Sequence, residues 1–193
     1  MHRAFFGGLM NHKEQSHLWM KQFLNAEATV VDMTCGNGYD TKFLAEHAGH
    51  VYAIDIQEAA ILNTKTLTQS ATNITYIHAD HSTVDFKTKA PLTGAIYNLG
   101  YLPRSDKSVI TEAHSTVKSL QNIIPYLTDF LVIACYLKHE GGYDEYLAVQ
   151  AYIKSLGVPF EILEYETPLS PVTYLVDLRA NASSCAHVHK SIR

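Results

Sequence analysis

Four short stretches carry side chains that chemistry could use, and each closes an apolar run. Residues 28–38, ATVVDMTCGNG, place Asp32 and then Gly36 and Gly38 after a Val-rich segment. AIDIQ ends on Asp55 and Gln57, HADHS on Asp80 and His81, and AIYNLGY on Asn98 and Tyr101. A G-x-G turn lets the backbone bend tightly and approach a ligand. The acids around it, Asp32 and Asp40, would repel a diphosphate and attract a cation. Asn98 is neither acid nor base, and its side-chain oxygen can hold and aim an N–H group.

These features favour one ligand over another. A dinucleotide turn needs G-x-G-x-x-G, with a third small residue and a helix end free for pyrophosphate. Here the third place is Thr41, preceded by Asp40. Two acids suit S-adenosylmethionine (SAM), which carries a sulfonium and an α-ammonium group. Asp55 follows Gly38 by 17 residues, near the spacing at which an acid takes a cofactor's ribose hydroxyls. Asp80 can accept from an adenine amino group, with His81 packed beside the ring. Each has a plainer role open to it: a capped turn for the glycines, a helix cap for Asp55, a loop residue for His81. Asp40 and Thr41 sit where a helix N-cap belongs.

Methyl transfer from a sulfonium is an in-line displacement that asks the protein for alignment and exclusion of water. An amine nucleophile must point its lone pair at the methyl carbon. The Asn98 oxygen and a backbone carbonyl of the next turn can hold its N–H groups for that purpose. Gly100 permits close approach, Tyr101 offers a ring for stacking, and Pro103 stiffens the exit. An acid at position 98 would trap a protonated amine instead. The alternative is an Asn in a type II turn with Gly100 at positive φ.

The elements that must position these residues alternate between two periods. Residues 28–33, 50–56, 73–80, 93–99 and 129–137 read as strands rich in Val, Ile and Tyr. Ile110, Ala113, Val117, Leu120 and Ile124 share a helical face before Pro125, and Tyr146, Val149, Ile153 and Leu156 share another before Gly157. Strands alternating with helices predict a mainly parallel sheet covered on both faces. PFEILEYE and TYLVDLR are separated only by TPLSPV, too short for a crossover helix, so they predict an antiparallel hairpin. The fold class is α/β: the class I SAM-dependent methyltransferase (Rossmann-like) layout, a mainly parallel seven-stranded sheet with a C-terminal antiparallel hairpin. Residues 1–179 form one domain, with 1–27 a lid or helix region in which Leu18, Trp19, Phe23 and Leu24 are partly buried. Residues 180–193 lack an apolar period and read as a loose tail.

Composition sets the outer limits. With 193 residues, 47% hydrophobic and 18% charged, the chain suits one globular domain. No apolar run is long enough for a bilayer and no signal peptide is evident. Three scattered cysteines suit free thiols in a cytoplasmic protein. A net charge of −4 means that any nucleic-acid partner must be gripped locally, with Lys13, Arg104, Lys107 and Lys138 as candidates. No metal site is expected; Cys185, His187 and His189 lack a fourth ligand.

Two motifs carry a resemblance. NLGY resembles the NPPY tetrad of amino-group methyltransferases, with Leu-Gly in place of Pro-Pro. Together DMTCGNGYDTKFLA and YNLGYLPRSDK resemble the small bacterial family long labelled rRNA methylases, over residues 10 to 179. Some members are tRNA 5-aminomethyl-2-thiouridine methyltransferases. The likeness implies SAM as methyl donor and S-adenosylhomocysteine (SAH) as product, with tRNA as partner through its anticodon region. It implies a SAM pocket of Asp32, Thr34, Gly36, Asn37, Gly38, Asp40, Asp55, Gln57, Asp80 and His81. Asn98 and Tyr101 would face the amine and base, with Leu99, Gly100, Arg104 and His139 as further substrate contacts. The chain departs from the family's Gly-His-Pro-Gly-Gly loop: LKHEGG keeps His139, Gly141 and Gly142 but has Lys138 and Glu140. Methylation of an rRNA or DNA amino group, a nicotinamide-linked oxidoreductase and a non-catalytic RNA binder stay open, as do monomer and homodimer; no membrane partner is expected.

Overall fold

The computed structural model describes residues 11–100, 112–165, 170–179 and 188–192. The chain runs α1 (His12–Met20), β1 (Thr29–Asp32), α2 (Tyr39–His47), β2 (His50–Asp55), α3 (Glu58–Leu67), β3 (Ile74–His78), β4 (Leu92–Leu99), α4 (Ala113–Ile123), β5 (Leu127–Cys135), α5 (Gly142–Ser155), β6 (Phe160–Tyr165), β7 (Val172–Asp177) and β8 (Val188–Ile192). Short 3-10 turns follow α1 and α4. The sheet order is β3-β2-β1-β4-β5-β7-β6-β8. Neighbours from β3 through β5 are parallel, and β7 lies antiparallel between β5 and β6. The expected seven-stranded layout is therefore present.

The sheet exceeds that layout by one strand. The tail does not stay loose throughout, because Val188–Ile192 pairs in parallel with Glu161–Tyr165 and makes the sheet eight-stranded. Without it β6 would be an edge with an open row of N–H and C=O groups. Ladder bonds join backbone to backbone, so a segment with no apolar period can fill that edge.

Helices cover both faces, as alternation requires. Leu120 and Ile123 of α4 and Val149 and Ile153 of α5 pack on Tyr97, Leu99, Leu131 and Ile133. On the opposite face Met20, Phe23, Phe43 and Leu44 pack on Val30, Ile96 and Val132. β4 is buried on both sides, with Ala95, Ile96, Tyr97 and Leu99 all inside. At about 1.5–3 kcal/mol for each large apolar side chain buried, that strand is firmly anchored, and the residue at its end inherits a fixed place. Strand alternation puts Tyr97 and Leu99 toward α4 and α5, and Ile96 and Asn98 toward α1 and α2. The α1 helix starts at a capping box: Asn11 Oδ1 accepts the Glu14 N–H and the Glu14 carboxylate accepts the Asn11 N–H, each at 3.0 Å. Its buried residues are Ser16 and Met20. Leu18, expected to be partly buried, is 61% exposed, because α1 rests on the sheet through the 16–20 face.

Candidate active site

Connections reverse direction at β1, which has β2 on one side and β4 on the other. In an open α/β sheet this is where a ligand crevice forms, beyond the strands' C-terminal ends. Asp32, Asp55 and Asn98 all sit there.

The glycine turn is held from two sides. Gly36 and Gly38 have left-handed φ of 53° and 83°. Gly36 N–H donates to Asp55 Oδ2 at 2.9 Å, and its carbonyl accepts from Thr64 Oγ1 at 3.2 Å. A Cβ on Gly38 would lie 2.8 Å from Thr64 Cα, so α3 itself demands glycine there. Asn37 Oδ1 accepts from Asn63 Nδ2. Asp55 therefore has a structural duty, since it also accepts the Gln57 N–H at 2.9 Å. Each of its oxygens keeps a second lone pair for a ligand hydroxyl. Burial raises the Asp55 pKa. Gln57 is the N-cap of α3.

Asp32 is wholly buried. Its Oδ2 accepts the Thr41 hydroxyl at 2.6 Å, and its Oδ1 takes the Thr34 N–H at 3.4 Å. Burial, and after it the negative charge of Asp40, lifts its pKa from 3.8 to about 7. A cation placed against it would be welcome. The expected N-cap role of Asp40 and Thr41 is not what the fold gives them. Gly38 is the N-cap, and both residues lie in the first turn of α2. Thr41 faces Asp32, while Asp40 turns toward α1 and β4.

Asp80 Oδ1 accepts the Ser82 N–H at 2.8 Å, and these contacts outweigh burial to keep its pKa low. His81 is buried beside Tyr97, with ring centroids 5.9 Å apart. Its Nδ1 has no hydrogen-bond partner among the described residues and sits 4.0 Å from Asp80 Oδ1. Burial lowers its pKa, so the ring is neutral near pH 7. Unpaired buried polar atoms are uncommon in folded proteins. This one, with Asp80 and Asp55 as its acidic neighbours, fits a ligand that carries positive charge, hydroxyls and a polar ring.

Asn98 points into the same region. Its backbone N–H donates to Thr34 Oγ1 at 2.7 Å, which ties the ends of β1 and β4 together. Its Nδ2 donates to Asp40 Oδ2 at 2.9 Å. Asp40 also accepts from His17 Nε2 at 2.6 Å and lies 3.8 Å from Lys13 Nζ. Burial alone would raise the Asp40 pKa, but the His17 hydrogen bond, then Lys13, and the Asn98 bond hold it below the usual carboxylate range. A small cavity, about 10 Å³ and room for one water, lies among His12, Lys13, Ser16, Asp40, Asn98 and Val132.

The remaining expected contacts divide. The Leu99 side chain is wholly buried because strand alternation turns it into the core, so a substrate contact at this residue would have to use its backbone. Its carbonyl accepts the Tyr136 N–H at 3.2 Å and retains a second lone pair. Gly100 is not left-handed, so the type II turn does not explain it, and a Cβ there would meet Tyr136 Cβ at 3.6 Å and the His139 ring at 3.8 Å. The His139 side chain is 5% exposed and its Nε2 lies 4.0 Å from Glu145 Oε2, so it is no surface histidine. Its Nδ1–H donates to the Glu140 carbonyl at 2.9 Å. Tyr101 and Arg104, like Cys185 and His187, lie outside the described residues. Sequence reasoning gave no role to Thr64, placed Thr41 only at a helix N-cap and Lys13 only among nucleic-acid contacts, and ranked closure of His17 over the cofactor behind a packed lid helix with no chemistry. The i, i+4 spacing of Lys13 and His17 behind a capping signature was the available signal.

Comparisons with known proteins point to one family. Residues 51–170 match the family model described as "Putative rRNA methylase". A tRNA (mnm(5)s(2)U34)-methyltransferase, chloroplastic, from Arabidopsis thaliana is 30% identical over 205 residues, covering 92% of this chain and 74% of that protein. The crystal structure of a protein from Clostridium thermocellum described as a "putative rRNA-methylase" superposes with a TM-score of 0.81 at 29% identity, covering 88% of this chain and 98% of that one. A Streptococcus mutans protein described as "a putative methyltransferase" and solved in complex with SAH gives a TM-score of 0.77 at 30% identity, covering 88% and 99%.

Proposed function

The chain belongs to the family described as "Putative rRNA methylase", and from that premise we propose that it methylates the aminomethyl nitrogen of wobble 5-aminomethyl-2-thiouridine in tRNA, giving 5-methylaminomethyl-2-thiouridine. The protein is a SAM-dependent methyltransferase. Bound SAM supplies an electrophilic methyl group on a sulfonium. In this reading Asp32, Asp55, Asp80 and His81 hold the donor at the strand ends. The tRNA enters through its anticodon region, and the buried free thiols Cys35 and Cys135 support a cytoplasmic, reducing setting. No helix among the described residues is long and apolar enough to cross a membrane.

One observation carries the choice of an amine acceptor. Asp40 is acceptor-only when ionised, so the atom of Asn98 that faces it at 2.9 Å must be the NH₂. The carbonyl oxygen is thereby turned the other way, and no partner among the described residues holds it, which leaves it for an amine N–H. An aliphatic amine has a reference pKa of about 10, and a neutral amine is the nucleophile. A positive donor nearby disfavours the ammonium form. Asn98 then orients the neutral amine while the proton passes to solvent, with no strong base required.

The test is transfer of labelled methyl to tRNA lacking the modification, beside rRNA and DNA, with nucleoside mass spectrometry of the product. The methylaminomethyl nucleoside should form only on tRNA, and Asn98→Ala should lose it while binding SAH. Label on an adenine or cytosine amino group of rRNA or DNA would replace this reading with the broader amino-group one. Binding of NADH without SAM would end both.

A further inference from the structure

We infer that His17, on the N-terminal helix, is a positioning residue for methyl transfer: by holding Asp40 it fixes which way the Asn98 carboxamide faces. This deepens the reading above and rests on Asn98 being the amine's acceptor.

The geometry forms a chain of fixed groups. The His17 ring stacks on Phe43 with centroids 3.8 Å apart and planes within 6°. That contact sets the ring plane and aims Nε2 at Asp40 Oδ1, 2.6 Å away. Lys13, one turn earlier on the same helix, lies 3.8 Å from Asp40 Oδ2 and 4.9 Å above the Tyr39 ring. The two basic side chains of α1 thus converge on a single, nearly buried carboxylate. His17 holds Oδ1, and Asn98 Nδ2 donates to Oδ2, the oxygen that Lys13 also approaches.

An amide is nearly symmetric in shape, so packing alone cannot choose between its oxygen and its nitrogen. Only the character of the neighbour does that. An ionised Asp40 accepts and cannot donate, and it selects the rotamer with NH₂ inward and oxygen outward. A buried carboxylate that loses its shortest hydrogen bond takes up a proton more readily, and Lys13, 3.8 Å away, supports the charge only at a distance. Protonated Asp40 could then donate to the Asn98 oxygen and reverse the amide. Without His17, the oxygen that should hold the substrate amine would be drawn inward, and a misplaced nucleophile costs rate steeply.

The test uses the full-length protein with His17→Phe, His17→Gln and Asp40→Asn. His17→Phe keeps the stack on Phe43 and removes the N–H, whereas His17→Gln returns a neutral N–H donor. His17→Phe should lower kcat by about 10–100-fold, with SAM affinity by calorimetry little changed, and His17→Gln should recover most of the rate. Asp40→Asn should be at least as impaired as His17→Phe, since its new amide can draw in the Asn98 oxygen. In ¹⁵N spectra of the SAH-bound protein, with the Asn98 side-chain amide assigned by its loss in Asn98→Ala, that signal should shift in His17→Phe and return toward wild type in His17→Gln. An unmoved Asn98 signal in His17→Phe overturns the inference, as does wild-type turnover by that variant or failure of His17→Gln to restore it. If the wild type methylates no tRNA, the proposed function fails, and the spectra still judge the clamp by themselves.

Discussion

Asp32 offers the sharpest test of the donor site, because its protonation should be coupled to binding. It is fully buried, with Thr41 as its short hydrogen-bond partner, and burial followed by the charge of Asp40 lifts its pKa from 3.8 to about 7. Between those two pH values the folded protein holds a proton that the unfolded chain has released. The folded state then binds more protons, so stability falls as pH rises through this window and levels off above about 7. At about 1.4 kcal/mol per tenfold in proton affinity, the interval amounts to on the order of 4 kcal/mol. A cationic ligand reverses the preference, since it favours the carboxylate and should expel the proton on binding. SAM affinity should therefore rise by up to about tenfold per pH unit below pH 7. Calorimetry from about pH 5.5 to 7, in buffers of different ionisation enthalpy, counts the released protons. The upper limit avoids the donor's own α-ammonium, which titrates near 7.7. Asp55, also raised by burial, pulls in the same direction, so Asp32→Asn isolates the share due to Asp32. That variant keeps an acceptor for Thr41 and should be at least as thermostable as wild type at pH 8 without SAM, yet bind SAM more weakly. Affinity that stays flat with pH, with no buffer-dependent enthalpy, would refute the reasoning.

Three further outcomes follow from the same coordinates. Gly38→Ala places a Cβ 2.8 Å from the α3 backbone at a left-handed φ; it should cost at least about 1–2 kcal/mol from the backbone alone, read by urea unfolding, and weaken SAM binding. Asn98→Asp sets a second carboxylate against Asp40 and offers an acid to the amine; single-turnover methylation should drop by about 10²-fold while SAH still binds. Glu145→Ala removes the 2.6 Å acceptor of the Thr116 hydroxyl between α4 and α5; it should destabilise the fold by about 1–3 kcal/mol in thermal melts, and Glu145→Gln, which keeps an acceptor, by less.

The sequence by itself determined the layers and the strand ends. Alternation of apolar runs with helical spacing gave the parallel sheet, the short TPLSPV link gave the hairpin, and acids and an amide just past apolar runs marked one crevice. These features are local, and a strand's period of two residues carries them. Local pattern also explains the misses. Nothing in the tail announces β8, because its pairing depends on an open backbone edge elsewhere in the chain. Leu99 stood beside the tetrad's asparagine in sequence, yet adjacent strand residues face opposite sides, so one reaches the crevice and the other the core. The link from His17 to Asp40 to Asn98 spans 81 positions and three elements. Only the crossing of α1 over the ends of α2 and β4 brings those groups within hydrogen-bond range, and only there does a carboxylate decide which way an amide turns.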